Sequence, residues 1–370
     1  MTRRTRAVVD LGAIAENFRF LRARAGGADV IPVVKADAYG HGAVAVAGRL
    51  WAEGARRFAV AHPEEGVALR DAGIGGEILL LSSGDPEDVW IFSSARLTPT
   101  VFDVAQARAL AAAALDARLP SPLPFHLKID TGMGRLGVRR EEWPAMIEAL
   151  RESPSLRLSG MFTQFASATD PESGATAAQI ASFASAVEGL RSAGLDPGLL
   201  HASNSAGALA FPEARLDAVR AGIALYGIAP SERVGDPGLR PAMSLETEVL
   251  SVKTVPPGTP LGYGGTFVTS RTTRVAALPI GYHDGFRRSL SGGIAVLIRG
   301  GEAPVVGAVS MDLTLVDATD SGAEPGDRVV LLGSDGVHAL DAWDLARAAG
   351  TIPYEIVCGF STRVPRVYVS

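Results

Sequence analysis

Eight short apolar runs lie between residues 30 and 220, each separated from the next by a helically patterned stretch. No other feature of the chain restricts the fold so far. The runs fall at residues 30–34, 57–60, 78–81, 100–102, 125–129, 158–163, 199–202 and 218–220. After a first helical stretch at 11–25, helix-like spacing covers residues 43–51, 63–72, 86–94, 141–151 and 177–192. Strands alternating with helices predict a parallel sheet, and eight such units in this length predict a closed barrel.

The pattern changes near residues 230–241, where Gly235, Pro237 and Gly238 mark a linker. Beyond it the chain is β-rich, with strand-like segments at 244–255, 273–278, 294–298, 304–306, 313–316 and 328–332, and one helix at 341–349. The expected fold class is α/β: an N-terminal (β/α)8 TIM-type barrel over residues 1–236 and a C-terminal β-rich domain over 237–370.

Composition removes several function classes. A net charge of −5 argues against a nucleic-acid partner, and Arg3, Arg4 and Arg6 read as a solvated N-terminal end. No apolar run reaches the roughly 18 residues a membrane helix needs. The alanine-rich stretch at 104–115 is broken by Gln106 and Arg108. Asp10 and Glu16 interrupt any signal-peptide core, so a cytoplasmic protein is expected. The lone Cys358 excludes an internal disulfide and reads more readily as a buried structural residue than as a nucleophile. No metal site is expected.

Barrels carry their chemistry at the C-terminal ends of their strands. Here those ends hold Lys35, then Thr131-Gly132-Met133-Gly134-Arg135, Gln164, Ser203-Asn204-Ser205 and Arg220-Ala221-Gly222-Ile223. A lysine leaving a buried strand loses solvation, which lowers its pKa and frees a neutral amine to attack a carbonyl. The plain alternative is an edge lysine that snorkels to water. The Ser205 hydroxyl and a close backbone approach at Gly222 suit an anion. Ser203-Asn204-Ser205 equally suits a helix N-cap, and Arg220 equally suits a rim ion pair. Together these ends point to a phosphorylated ligand near a strand-end lysine.

The run Val33-Val34-Lys35-Ala36-Asp37-Ala38-Tyr39-Gly40-His41-Gly42 resembles the cofactor-lysine signature of the pyridoxal-phosphate-dependent alanine racemases. Further matches follow in family order. They are Lys128-Ile129-Asp130-Thr131-Gly132-Met133-Gly134-Arg135, His201-Ala202-Ser203-Asn204-Ser205-Ala206 and Arg220-Ala221-Gly222-Ile223-Ala224-Leu225-Tyr226-Gly227. In the β-rich half they are Gly262-Tyr263-Gly264, Gly281-Tyr282-His283-Asp284-Gly285, Ser310-Met311-Asp312, Tyr354-Glu355 and Arg363-Val364-Pro365-Arg366. Each is weak alone; the ordered set is strong.

The resemblance implies an enzyme that interconverts L- and D-alanine and supplies D-alanine for peptidoglycan. Lys35 would hold pyridoxal 5'-phosphate as an internal aldimine and act as one base, and Tyr263 of the partner subunit in a homodimer would be the other. Two bases on opposite faces are what inversion at Cα requires. Tyr39, Ser205, Gly222, Ile223 and Tyr354 would hold the phosphate, with Asn204 beside them. Arg220 would face the pyridine nitrogen and, keeping its proton, weaken the cofactor as an electron sink. Arg135 and Met311 would lie near the substrate. Lys128 matches a position carbamylated in some members; read by itself it is equally an ordinary ion pair.

Three positions depart from the family pattern. Gln164 stands where histidine is usual, Gly265 where arginine is usual, and His283 where alanine is usual. Glutamine can bridge but cannot titrate, so these changes are expected to slow alanine turnover or alter substrate preference. The alternatives are a broad-specificity racemase for serine, lysine or arginine, and a non-catalytic pyridoxal-phosphate barrel. The β-rich half and Tyr263 argue against the latter. Arg220 separates the chain from barrel decarboxylases, which pair the pyridine nitrogen with an acid.

Overall fold

The computed structural model describes residues 4–82, 84–235 and 237–370; Arg3 and the boundary residue Asp236 lie outside the described residues. The chain divides into two compact units. One comprises Ile14–Ala38 and Ala43–Arg240; the other comprises the residues up to Ala13, Tyr39–Gly42 and Pro241–Ser370. The division therefore crosses the chain four times, whereas a linear reading places one boundary.

The first unit is the barrel. Its strands are Asp29–Pro32, Arg57–Val60, Glu77–Leu80, a fourth split into Leu97–Thr98 and Thr100–Val101, then Leu123–Lys128, Leu156–Phe162, Leu199–His201 and Ala218–Ala221. The first three each bury every residue but the first. That is why they read as continuous apolar runs rather than alternating ones. Pro99 splits the fourth because it has no N–H to donate to a ladder, yet its carbonyl still accepts from His126 N–H at 2.9 Å. The circle closes where the eighth strand pairs in parallel with the first, Val219 opposite Val30 and Arg220 opposite Ile31. The helices follow as expected, among them Ala43–Ala52, Pro63–Asp71, Val104–Asp116, Trp143–Arg151 and Ala175–Ser192.

The second unit is built on a sheet ordered Gly301–Pro304, Ala295–Ile298, Arg328–Asp335, Met243–Glu248, Arg6–Asp10 and Arg366–Val369, with His338–Leu340 off Arg328–Asp335. A second sheet pairs Ser251–Val255, Thr273–Leu278 and Thr314–Asp317.

Four expectations need correction. Arg6 keeps an exposed side chain but is no free end: it opens a strand paired on both sides, lies opposite Glu246 and bonds that carboxylate at 3.3 Å. The segment at 304–306 is only partly strand, because its hairpin begins earlier, at Gly301. The C-terminal half holds a second helix, Pro353–Cys358, and a last strand, Arg366–Val369. Cys358 is exposed rather than buried, since it ends a short helix on its outer face.

Candidate active site

Lys35 follows the first barrel strand after Val33 makes one last bridge to Ala59. The backbone then does something the sequence did not announce: Ala36, Asp37, Ala38 and Tyr39 all take φ near +53 to +54°. A left-handed turn of non-glycine residues costs about 1–2 kcal/mol per residue, so neighbouring bonds must hold it. Ala36 N–H donates to Glu65 Oε1 at 2.6 Å, Ala38 N–H to Val34 O at 2.8 Å, and Ala43 N–H to Asp37 Oδ1 at 2.7 Å. The same Glu65 carboxylate takes Ala61 N–H at 2.7 Å, tying the turn after Lys35 to the end of the second strand. Strain held this firmly clusters at functional sites.

Arg220 lies in the last barrel strand and is 3% exposed. Its Nη1 donates to His201 Nδ1 and His201 O, both at 2.8 Å. Its Nη2 donates to Thr163 O at 2.7 Å, Ala202 O at 2.9 Å and Gln164 Oε1 at 3.2 Å. Every one of these acceptors is neutral. Burial pushes its pKa down to about 9, which leaves it charged at neutral pH. It is therefore no rim ion pair.

Lys128, in the fifth strand, is 5% exposed and stands 5.6 Å over the Phe162 ring. Burial, then the charges of Arg135, Arg220 and Lys35, push its pKa down to about 8. Among the described residues it makes no ion pair, so the plain reading of Lys128 is corrected. Arg135 is exposed on the loop after that strand, whose backbone is pinned by Asp130 Oδ1 accepting from Gly132 and Gly134 N–H.

Asn204 caps the short helix Ser205–Ala210, accepting from Gly207 N–H at 2.9 Å. Ser205 Oγ accepts from Gly222 N–H at 2.9 Å and Ala224 N–H at 3.3 Å. Ile223 opens the turn Ile223–Tyr226, where first N–H groups lack partners within the turn. In the barrel unit Arg135, Arg220 and Lys35 stand within electrostatic reach of Lys128, while Asn204, Ser205, Gly222 and Ile223 lie together at the ends of the last two strands.

The remaining sequence-derived residues lie in the second unit. Tyr39 and Tyr354 have ring centroids 6.1 Å apart. Burial raises both phenols, Tyr354 to about 12 and Tyr39 further with help from Tyr354 and Cys358. Both stay protonated donors at neutral pH. Tyr263 is 71% exposed in a turn where Gly262, Gly264 and Gly265 all have positive φ. The Met311 side chain is 51% exposed, and its carbonyl accepts from His283 N–H at 3.2 Å. Arg363 bonds Asp312 at 2.8 Å and approaches buried Asp284 at 3.4 Å.

Sequence reading missed Glu65, Glu77 and His126. A histidine inside the strand-like run 125–129 and an acid directly before the run 78–81 were the available signal.

A parallel (β/α) barrel with a strand-end lysine and a buried arginine bonded only to neutral acceptors, together with a second β-rich unit, defines a protein of the barrel-plus-β class. Residues 9–230 match the model for the N-terminal domain of alanine racemase and residues 242–368 that for its C-terminal domain. The chain belongs to the alanine racemase family. It is 40% identical to the alanine racemase of Halothermothrix orenii over 100% of this chain and 97% of that protein. It is 43% identical to that of Carboxydothermus hydrogenoformans over 98% and 99%. The crystal structure of alanine racemase from Streptomyces lavendulae, a D-cycloserine producer, superposes with a TM-score of 0.94 at 37% identity, covering 100% of this chain and 98% of that one. The Bacillus anthracis alanine racemase with bound L-Ala-P gives 0.94 at 35% identity, covering 100% and 96%. Among the described residues no helix is long and apolar enough to cross a membrane.

Proposed function

We propose that the chain is a pyridoxal 5'-phosphate-dependent alanine racemase of the cytoplasm, working as a homodimer in which Tyr263 serves the partner's site. What supports this most is one barrel carrying both strand-end Lys35 and a buried Arg220 whose bonded acceptors are all neutral. The residues suit the cofactor chemically. Lys35 offers the amine, Ser205 a hydroxyl for phosphate, and Tyr39 and Tyr354 offer protonated phenols.

When bound, the cofactor supplies an electron sink for the pair left at Cα. The chain's residues do the rest. Lys35 takes or returns the Cα proton on one face and Tyr263 on the other, so inversion needs no rotation of the substrate. Arg220 would face the ring nitrogen of the cofactor and, keeping its own proton, would weaken the electron sink the cofactor supplies. Exposure of Tyr263 in a glycine-rich turn leaves the phenol able to reach another protein chain. Lys128, neutral more often than an ordinary lysine, suits carbamylation, and the anion so made would hold Arg135 for the substrate carboxylate.

The test is the optical rotation of L-alanine under cofactor-loaded protein, with L-serine and L-lysine alongside. Decay to zero for alanine is expected. Decay for serine or lysine alone would change the substrate and keep the mechanism; a flat trace for all three with cofactor bound would overturn the racemase. Lys35→Ala should abolish the aldehyde-amine absorbance of the bound cofactor.

A further inference from the structure

Glu77 opens the third barrel strand, at the end of the barrel away from Lys35, where residues ordinarily serve stability alone. Its Oε2 takes Arg57 Nε at 3.0 Å, its Oε1 takes Thr98 Oγ1 at 3.3 Å, and Arg57 also pairs with Asp29 at 2.5 Å. His126 Nε2 lies 3.3 Å from Glu77 Oε1. The approach falls short of hydrogen-bond geometry and that buried nitrogen has no hydrogen-bond partner, so the Glu77 carboxylate is the acid it faces without a formed bond. His126 Nδ1 then meets His201 Nε2 at 2.9 Å, and His201 Nδ1 meets Arg220 Nη1 at 2.8 Å. His126 is 1% exposed and His201 fully buried.

The order of donors along this chain follows from chemistry. A guanidinium only donates, so His201 Nδ1 is the lone-pair end and its proton sits on Nε2. That N–H donates to His126 Nδ1, which places the His126 proton on Nε2, toward Glu77. Burial and the Arg220 charge hold His201 well below the ordinary histidine range, so it stays neutral. A glycine makes room for the relay: a Cβ at Gly160 would stand 2.5 Å from the His126 ring.

We infer that Glu77, His126 and His201 are positioning residues for Arg220, with the Glu77 carboxylate acting through two neutral imidazoles as the remote counter-charge of a guanidinium that has none in contact. This rests on the reading that Arg220 faces the cofactor ring nitrogen. The arrangement leaves Arg220 charged and oriented while no carboxylate competes for its N–H groups.

The experiment uses holoenzyme with nitrogen-15 histidine and, separately, nitrogen-15 in the cofactor ring. In the unmutated protein both imidazoles should be neutral with the proton on Nε2; a proton on either Nδ1 overturns the inference, and this readout stands even if no variant folds. Glu77→Gln should mix the His126 tautomers, move the ring-nitrogen signal and lower kcat by about tenfold, the smaller end of losing a charge-assisted hydrogen bond, with KM within about twofold. Unchanged histidine signals and kcat would overturn it. Arg220→Lys separates the two failures. If it moves the ring-nitrogen signal and Glu77→Gln does not, the relay fails alone; if neither moves it, the assignment of Arg220 to the ring nitrogen fails, and the inference with it.

Discussion

Lys128→Met should stabilise the protein in CO2-free buffer and destabilise it in bicarbonate. The ammonium is buried beside Arg135, Arg220 and Lys35, and its pKa drops from 10.5 to about 8. At 1.36 kcal/mol per pKa unit that drop corresponds to roughly 3 kcal/mol, or about 2 once residual solvent screening is allowed for. The sign follows from linkage. Between pH 8 and 10.5 the unfolded chain binds the proton that the folded one has lost, so stability rises with pH across that window. Below about 8 the full penalty is present, and methionine, apolar and of similar volume, removes it. At pH 7.5 such an amine is about a quarter neutral, against about one part in a thousand for an ordinary lysine. The neutral nitrogen adds to CO2, loses a proton and becomes a carbamate, an anion among three cations. Bicarbonate should therefore stabilise the unmutated protein and leave Lys128→Met unchanged. Urea unfolding at pH 7 with and without bicarbonate measures the difference, and carbon-13 bicarbonate reports the carbamate directly by NMR. Absence of that resonance, with Lys128→Met less stable than the parent in CO2-free buffer, would refute the reasoning.

Tyr263→Phe should leave the urea midpoint almost where it was, because the side chain is 71% exposed and such substitutions change stability by about 0.5 kcal/mol or less. It should nevertheless remove Cα proton exchange from one enantiomer far more than from the other; equal losses in deuterium-exchange assays would contradict the two-base assignment. Gln164→His places a titratable group where Gln164 Oε1 now accepts from Arg220 at 3.2 Å. The rate and its pH profile should both change, and identical profiles would mean that glutamine is a tolerated variation there.

The barrel was legible because its strands are buried on both faces and so appear as unbroken apolar runs. Lys35, Ser205 and Arg220 could be put forward as site residues because barrel strand ends are where chemistry sits, and because their motifs occur in family order. The second unit was read less well. Arg6–Asp10 lies more than two hundred residues before its partner Met243–Glu248, and no local pattern marks a strand whose pairing is so distant.

Residue types and their periodicity determined the alternation and the closed barrel, since those depend on local spacing and on burial summed over short windows; Lys35 stood out only through the family resemblance of the motif around it. Only the tertiary structure decided the rest. The left-handed turn after Lys35 is held because Glu65 takes the Ala36 N–H and the Asp37 carboxylate reaches forward to the Ala43 N–H. The low pKa of Lys128 comes first from its burial and then from three cations on different strands and loops. Arg220 lacks a direct counter-charge because histidines from strands 75 residues apart in sequence stand between it and Glu77. Long-range electrostatics of this kind depend on distances of a few ångströms between segments far apart in the chain, and sequence order does not encode those distances locally.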